Sequence, residues 1–232
     1  MADNSIVRRS WLIAPAHDAG AVEQAQASLP DVLVLDLEYT VPPKYKEAAR
    51  SALCSTISSP APRVSEVFVR VDWETRWCDI EAAVCPGLKG IVLPGPESAE
   101  EVAELDRLIG DVERKKGVIP DSVELVLILE SPRGFWNSRA LAGSSRRVTG
   151  LGIGRADLTM GLGPDPDGEF HLYPYLMSTV VTAARAHNIQ AIGAHWKKGS
   201  RGGVASPKDT FEAARRAWRM GFMGSLCARP EQ

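Results

Sequence analysis

The sequence predicts a parallel α/β fold, an eightfold β/α barrel. Three observations lead there. Eight short apolar runs follow one another, mostly separated by segments with helical pattern. The run 123–129 has six Val, Leu or Ile residues among its seven, which fits a strand covered on both faces. Charged residues fall just past the ends of several runs, the side of such a barrel on which active sites are built. A doubly wound open sheet is the competing arrangement, but nothing resembling Gly-x-Gly-x-x-Gly follows the first run.

After a polar start, residues 11–14 read as the first strand, closed by Pro15, Ala16, His17 and Asp18. A helix over 19–28 stops at Pro30-Asp31, and 32–35 is the second strand, leading into Asp36-Leu37-Glu38. Pro42-Pro43 break the chain before a helix over 45–57. A Pro/Ser linker, 58–62, leads to the third strand, 67–71, with Arg70 near its end. A short helix over 78–84 precedes the fourth strand, 90–93, which ends at Pro94-Gly95-Pro96. Residues 97–116 put Val102, Leu105, Leu108 and Ile109 on one face of an amphipathic helix. The fifth strand ends on Glu130, where Ser131-Pro132-Arg133-Gly134 force a turn. The sixth, 148–153, runs into Gly154-Arg155-Ala156-Asp157, followed by a polar loop over 161–171. A helix over 173–187, a strand over 189–193, a helix over 208–219 and a strand over 221–226 complete the eight. Only 227–232 remain, too few for a closing helix. The barrel is therefore expected to expose an apolar strip between its first and seventh helices, to bury it in a homo-oligomer, and to have an open mouth.

The bulk numbers exclude several classes. At 232 residues, with 44% hydrophobic and 24% charged, the chain is sized and composed for one soluble domain spanning 1–232. A net charge of −2 leaves no basic excess for nucleic acid and no acidic block for disorder. No run is long enough to cross a membrane and no secretory signal opens the chain, so a cytoplasmic protein is expected. The four cysteines show no Cys-x-x-Cys spacing, which argues against a zinc site or a disulfide framework.

Asp36, Glu38, Arg70, Glu130 and Asp157 all lie at the carboxyl ends of strands. Unpaired buried charges are costly, and a divalent cation would relieve that cost. Glu130 and Asp157 come from neighbouring strands, and Mg²⁺ typically takes one or two carboxylates and fills its octahedron with water and substrate. Arg70 has the planar fork to hold a substrate carboxylate, and Gly154 and Arg155 are expected to line the substrate. Metal and arginine together would stabilise negative charge on a 2-oxo acid or thioester oxygen, which is enolate chemistry. A structural ring of ion pairs is the competing account. His17 and His195 are candidate proton carriers or ordinary rim histidines. The basic, glycine-rich stretch 197–203 is a candidate phosphate grip or a surface loop. Trp73, Trp77 and Trp136 either line a pocket or pack.

The order of its motifs resembles the HpcH/HpaI aldolase–citrate lyase β-subunit family. The resemblance is carried by Arg9-Ser10 with Pro15, Leu35-Asp36-Leu37-Glu38 with Val41-Pro42, Lys46-Glu47-Ala48-Ala49-Arg50, and Val69-Arg70-Val71. It continues through Gly90-Ile91-Val92-Leu93-Pro94, Leu129-Glu130 with Gly134, Gly154 to Leu158, Gly221 to Gly224, and Pro230-Glu231-Gln232. It implies a Mg²⁺-dependent barrel that makes or breaks a C–C bond beside an acyl-CoA thioester or 2-oxo acid. Glu130 and Asp157 would hold the metal, Arg70 the substrate carboxylate, and Glu38 would belong to the acidic catalytic pair, with Asp36 and Arg70 expected to be catalytic beside it. The chain also departs from the family pattern. The second member of that pair is Tyr39, Gly95 stands where a lysine is usual, an Asp is replaced around Gly193, and Ala228-Arg229-Pro230 replaces Ile-His-Pro. A phenol titrates near pH 10, so a base that works at neutral pH is lost. Slow or absent citryl-thioester cleavage is expected. The alternatives are a free 2-oxo-acid aldolase without CoA and a catalytically silent relative that binds an acyl-CoA or oxo acid.

Overall fold

The computed structural model describes residues 7–58, 66–163, 172–196 and 204–232. Its strands are β1 (Ser10–Pro15), β2 (Val32–Asp36), β3 (Glu66–Arg70), β4 (Leu88–Pro94), β5 (Glu124–Leu129), β6 (Val148–Ile153), β7 (Gln190–Ile192) and β8 (Ser225–Cys227). All pairings are parallel, in the order β7-β6-β5-β4-β3-β2-β1-β8. The two edges meet at a parallel bridge between Ile192 and Gly224, where Gly193 N donates to Gly224 O at 2.8 Å. That seam brings the two edges of the expected barrel together.

Alternation along β2 shows how the barrel sorts its side chains. Val32 and Val34 join Trp11, Phe68, Val92, Val126, Ile128 and Ile192 in one buried cluster, the barrel interior. Leu33 and Leu35 belong to the larger cluster between sheet and helices. Both faces are apolar because both are covered, as parallel strands require. Phe68 has room to fill the interior because Gly90 lies beside it; a Cβ there would come within 2.7 Å of its ring.

The helices are α1 (Ala19–Ala27), α2 (Lys46–Ser58), α3 (Arg76–Ala83), α4 (Ala99–Lys116), α5 (Pro132–Trp136), α6 (Ser138–Ala142), α7 (Arg155–Leu162), α8 (Tyr173–Ala186) and α9 (Pro207–Met220). A capping box starts α4: Ser98 accepts from Glu101 N while Glu101 accepts from Ser98 N. Gly117 ends it in the left-handed conformation. Arg147 grips Glu113 of α4 through both Nη atoms (2.8 and 2.7 Å), and Glu113 accepts from Val123 N, anchoring the start of β5.

Three corrections to the sequence reading follow from local geometry. The chain after Glu130 does not simply turn, because Ser131 caps α5 through Gly134 N (3.0 Å) and Pro132 sits in its first turn. A helix that the sequence reading did not assign, α7, takes residues 155–162, including the first two of the expected 161–171 loop, so Asp157 lies in a first helical turn. β8 begins at Ser225, not 221, because Gly221 and Phe222 still close the end of α9 through Ala217 O. Among the described residues no helix is long and apolar enough to cross a membrane.

Candidate active site

β2 delivers Asp36 to the carboxyl end of the barrel, fully buried. Its carboxylate accepts from Glu38 N (2.9 Å), Thr40 N (2.9 Å) and Thr40 Oγ1 (2.6 Å). Arg70, at the end of β3, completes the shell with a two-pronged grip, Nε to Oδ1 at 2.7 Å and Nη2 to Oδ2 at 2.8 Å. Burial alone would push Asp36 up, but the hydrogen bonds and charge of Arg70 outweigh it and hold the carboxyl below its ordinary range. Asp36 therefore fixes Arg70, whose Nη1 lies 3.3 Å from Glu38 Oε2.

The remaining acids are poorly compensated. Burial pushes Glu130 up to about 8, and the charges of Glu38 and Asp157 push the same way. Burial also raises Glu38, to about 7, with Arg70 opposing and Asp36 and Asp157 adding to the rise. Glu38 Oε2 is buried with no hydrogen-bond partner. Glu38 and Glu130, both pushed up by burial and by the charge of Asp157, are acids that a nearby cation would relieve.

Glycine makes room for this cluster. A Cβ on Gly154 would sit 2.7 Å from Glu130 Oε1 and 2.9 Å from its Cδ, so any larger residue would displace the carboxylate. Gly154, expected from sequence to line the substrate, is thus required first by Glu130. Its neighbour Arg155 lies with Cζ 5.3 Å from the Tyr173 ring. Among the described residues no three His, Cys, Asp or Glu side chains converge as a metal cage. A pair of carboxylates, Glu130 and Asp157, with open positions left over fits Mg²⁺ better than a closed structural site.

Tyr39 is 65% exposed, and the guanidinium of Arg70 lies 5.3 Å from its ring centroid. Burial and then the charges of Glu38, Glu130 and Asp157 raise its phenol well above the ordinary range, so it stays protonated. Sequence reasoning missed the ion pair of Lys46 and Asp72 on the same side. Its signal was Lys46 at the start of α2, near enough that its charge opposes the rise of Glu38. His17 stacks on Tyr45 (centroids 5.1 Å apart), with Nδ1 buried and unpartnered. Burial, then Arg216 and Arg155, lower His195 and keep it neutral at pH 7. Trp73 and Trp77 flank the Arg76 guanidinium, whose Cζ lies 4.0 and 5.6 Å from their rings, while Trp136 is exposed. The stretch 197–203 lies outside the described residues, as does most of 161–171.

A model of the family described as HpcH/HpaI aldolase/citrate lyase matches residues 9–230. The chain belongs to that family. Citrate lyase subunit beta of Haemophilus influenzae is 27% identical, over 97% of this chain and 77% of its own length. L-malyl-CoA/beta-methylmalyl-CoA lyase of Cereibacter sphaeroides is also 27% identical, over 97% of this chain and 76% of its own. The citrate lyase beta subunit from M. tuberculosis, solved with oxaloacetate and magnesium, superposes with a TM-score of 0.76 at 27% identity. That match covers 97% of this chain and 93% of that one. The resemblance drawn from Leu35 to Glu38, Val69 to Val71 and Gly154 to Leu158 is thereby established as family membership.

Proposed function

We propose that this chain is a cytoplasmic, Mg²⁺-dependent carbon–carbon lyase of the citrate lyase β-like group. Its substrate would be an acyl-CoA thioester or 2-oxo acid, and its chemistry that of an enolate. The observation that carries this reading is that Glu38 and Glu130, at one end of the barrel, both feel the charges of Arg70 and Asp157. A lyase acting on malyl-CoA and a relative solved with oxaloacetate and magnesium support the substrate class and the metal.

In this reading Glu130 and Asp157 hold the ion, which supplies Lewis-acid stabilisation of negative charge on a substrate oxygen. Arg70, kept in register by Asp36, binds a substrate carboxylate through the part of its fork not engaged by Asp36. Asp36 is thus a positioning residue rather than a catalytic one. Glu38, raised to about 7, is suited to exchange a proton with the substrate near neutral pH. Tyr39 keeps its proton and can only donate a hydrogen bond. Gly154 borders the same space, and Arg155 would reach the substrate from the side of Tyr173. A homo-oligomer belongs to the proposal, because Phe211 and Trp218 project from α9 at 65% and 71% exposure.

The decisive experiment is a calorimetric screen of 2-oxo acids and acyl-CoAs with and without Mg²⁺, followed by turnover of whatever binds. Mg²⁺-dependent binding with turnover is expected. Binding of 2-oxo acids but no CoA compound would leave the free-acid aldolase. Tyr39, in place of an acid, favours a second reading, a silent binder, which binding without turnover would select. No Mg²⁺-dependent binding would overturn the proposal.

A further inference from the structure

The barrel has a second polar end. Opposite the acidic mouth, the amino ends of the strands enclose a cavity of about 470 Å³. Its floor is an ion-pair network. Arg8, just ahead of β1, holds Glu66 through Nε and Nη2, the latter 2.9 Å from Oε1. It also holds Glu124 through Nη1 (2.7 Å) and Nη2 (3.2 Å). Glu124 accepts further from Lys89 Nζ (2.7 Å) and Thr149 Oγ1 (2.8 Å). All four carboxylate oxygens of the floor are therefore engaged.

The rim differs. Arg146, just before β6, and Arg185, in the last turn of α8, are exposed and line the cavity beside His187. The hydrogen bond of Arg185 to Gly221 O is long, 3.4 Å. Among the described residues no hydrogen bond or ion pair engages Arg146. The lining thus carries four cations, Arg8, Lys89, Arg146 and Arg185, against the two carboxylates. This local excess runs against the chain's net charge of −2. A concave wall with a net positive charge concentrates anions, and guanidinium forks match phosphate and carboxylate oxygens. A volume of a few hundred Å³ is that of a small-molecule site.

We propose that the amino end of the barrel holds a second binding site, for a small organic anion carrying at least two negative charges, anchored by Arg146 and Arg185. Phosphate esters and polycarboxylates share this chemistry. The test is calorimetry on the metal-free full chain at low salt, with inorganic pyrophosphate and, separately, tricarballylate. Saturable one-to-one binding of at least one probe is expected, and which one binds distinguishes phosphate from carboxylate ligands. Replacing both arginines (Arg146→Ala with Arg185→Ala) should weaken that binding about ten- to a hundredfold, as for lost charge-assisted hydrogen bonds. Both side chains are exposed, so the fold should survive, as circular dichroism would verify. Glu130→Gln, at the opposite end, should leave anion binding unchanged, which separates this proposal from the catalytic one. No saturable binding of either probe, binding retained in the double variant, or binding abolished by Glu130→Gln overturns it.

Discussion

Asp36 and Arg70 are joined by two hydrogen bonds of 2.7 and 2.8 Å, across the β2–β3 pair that carries them side by side. Asp36→Asn would remove the charge that grips the buried Arg70 guanidinium, leaving Glu38 at 3.3 Å beside it, at a cost of about 3–5 kcal/mol of stability. Chemical denaturation of the variant checks this; a loss under about 1 kcal/mol would mean that the pair is dispensable.

Arg70→Lys keeps the charge and loses the fork. Oxo-acid affinity should fall about ten- to a hundredfold, the worth of a charge-assisted hydrogen bond. Titration of the purified variant reads it. An unchanged affinity would make Arg70 a purely structural partner of Asp36.

Glu130→Gln should abolish Mg²⁺-dependent oxo-acid binding while preserving the fold. The amide has nearly the carboxylate's shape but is a weaker ligand for a hard cation. Chelator treatment of the unmodified chain should have the same effect. If neither treatment changes affinity, the metal belongs elsewhere.

Glu38 and Glu130 titrate near 7 and 8 in the metal-free fold, against an ordinary value of 4.5. The folded state then holds more protons than the unfolded one over this window, so stability falls as pH rises from about 4.5 to about 8. Mg²⁺ competes with those protons, so its affinity should rise over the same range, and its stabilisation with it. Thermal melts at several pH values, with and without Mg²⁺, test both slopes. A metal-free midpoint that climbs through this window would contradict the assignment.

Tyr39→Asp would restore an acid where the family pattern has one. Citryl-thioester cleavage should be slow or absent in the unmodified chain and rise in the variant. Strong cleavage by the unmodified chain would show that the acid at 39 was never needed.

Phe211 and Trp218 lie one above the other on the exposed side of α9, seven residues apart. Light scattering should find a homo-oligomer, and Trp218→Glu should shift it to a smaller species. A clean monomer at micromolar concentration would sink this expectation.

Read alone, the sequence determined the barrel and its chemical end. Runs such as Leu33 to Leu35 and Leu125 to Leu129 are apolar on both faces, a pattern that a covered parallel strand satisfies. Their order then places Glu38, Arg70, Glu130 and Asp157 on one rim, because parallel strands share one direction. Element ends were less legible: 148–153 matched β6, whereas the start of β8 depended on hydrogen bonds across a turn, and α7 carried no helical signal in the sequence reading. The tertiary structure decided what each charge does. Asp36 became the partner of Arg70 only when β2 and β3 lay in register, and Gly154 the neighbour of Glu130 only when β5 and β6 did. The network of Arg8, Glu66 and Glu124 has partners 58 and 116 residues apart, which no local pattern can pair. Periodicity is a local property of the chain, while the pairing and titration of charges depend on distances that only the closed barrel sets.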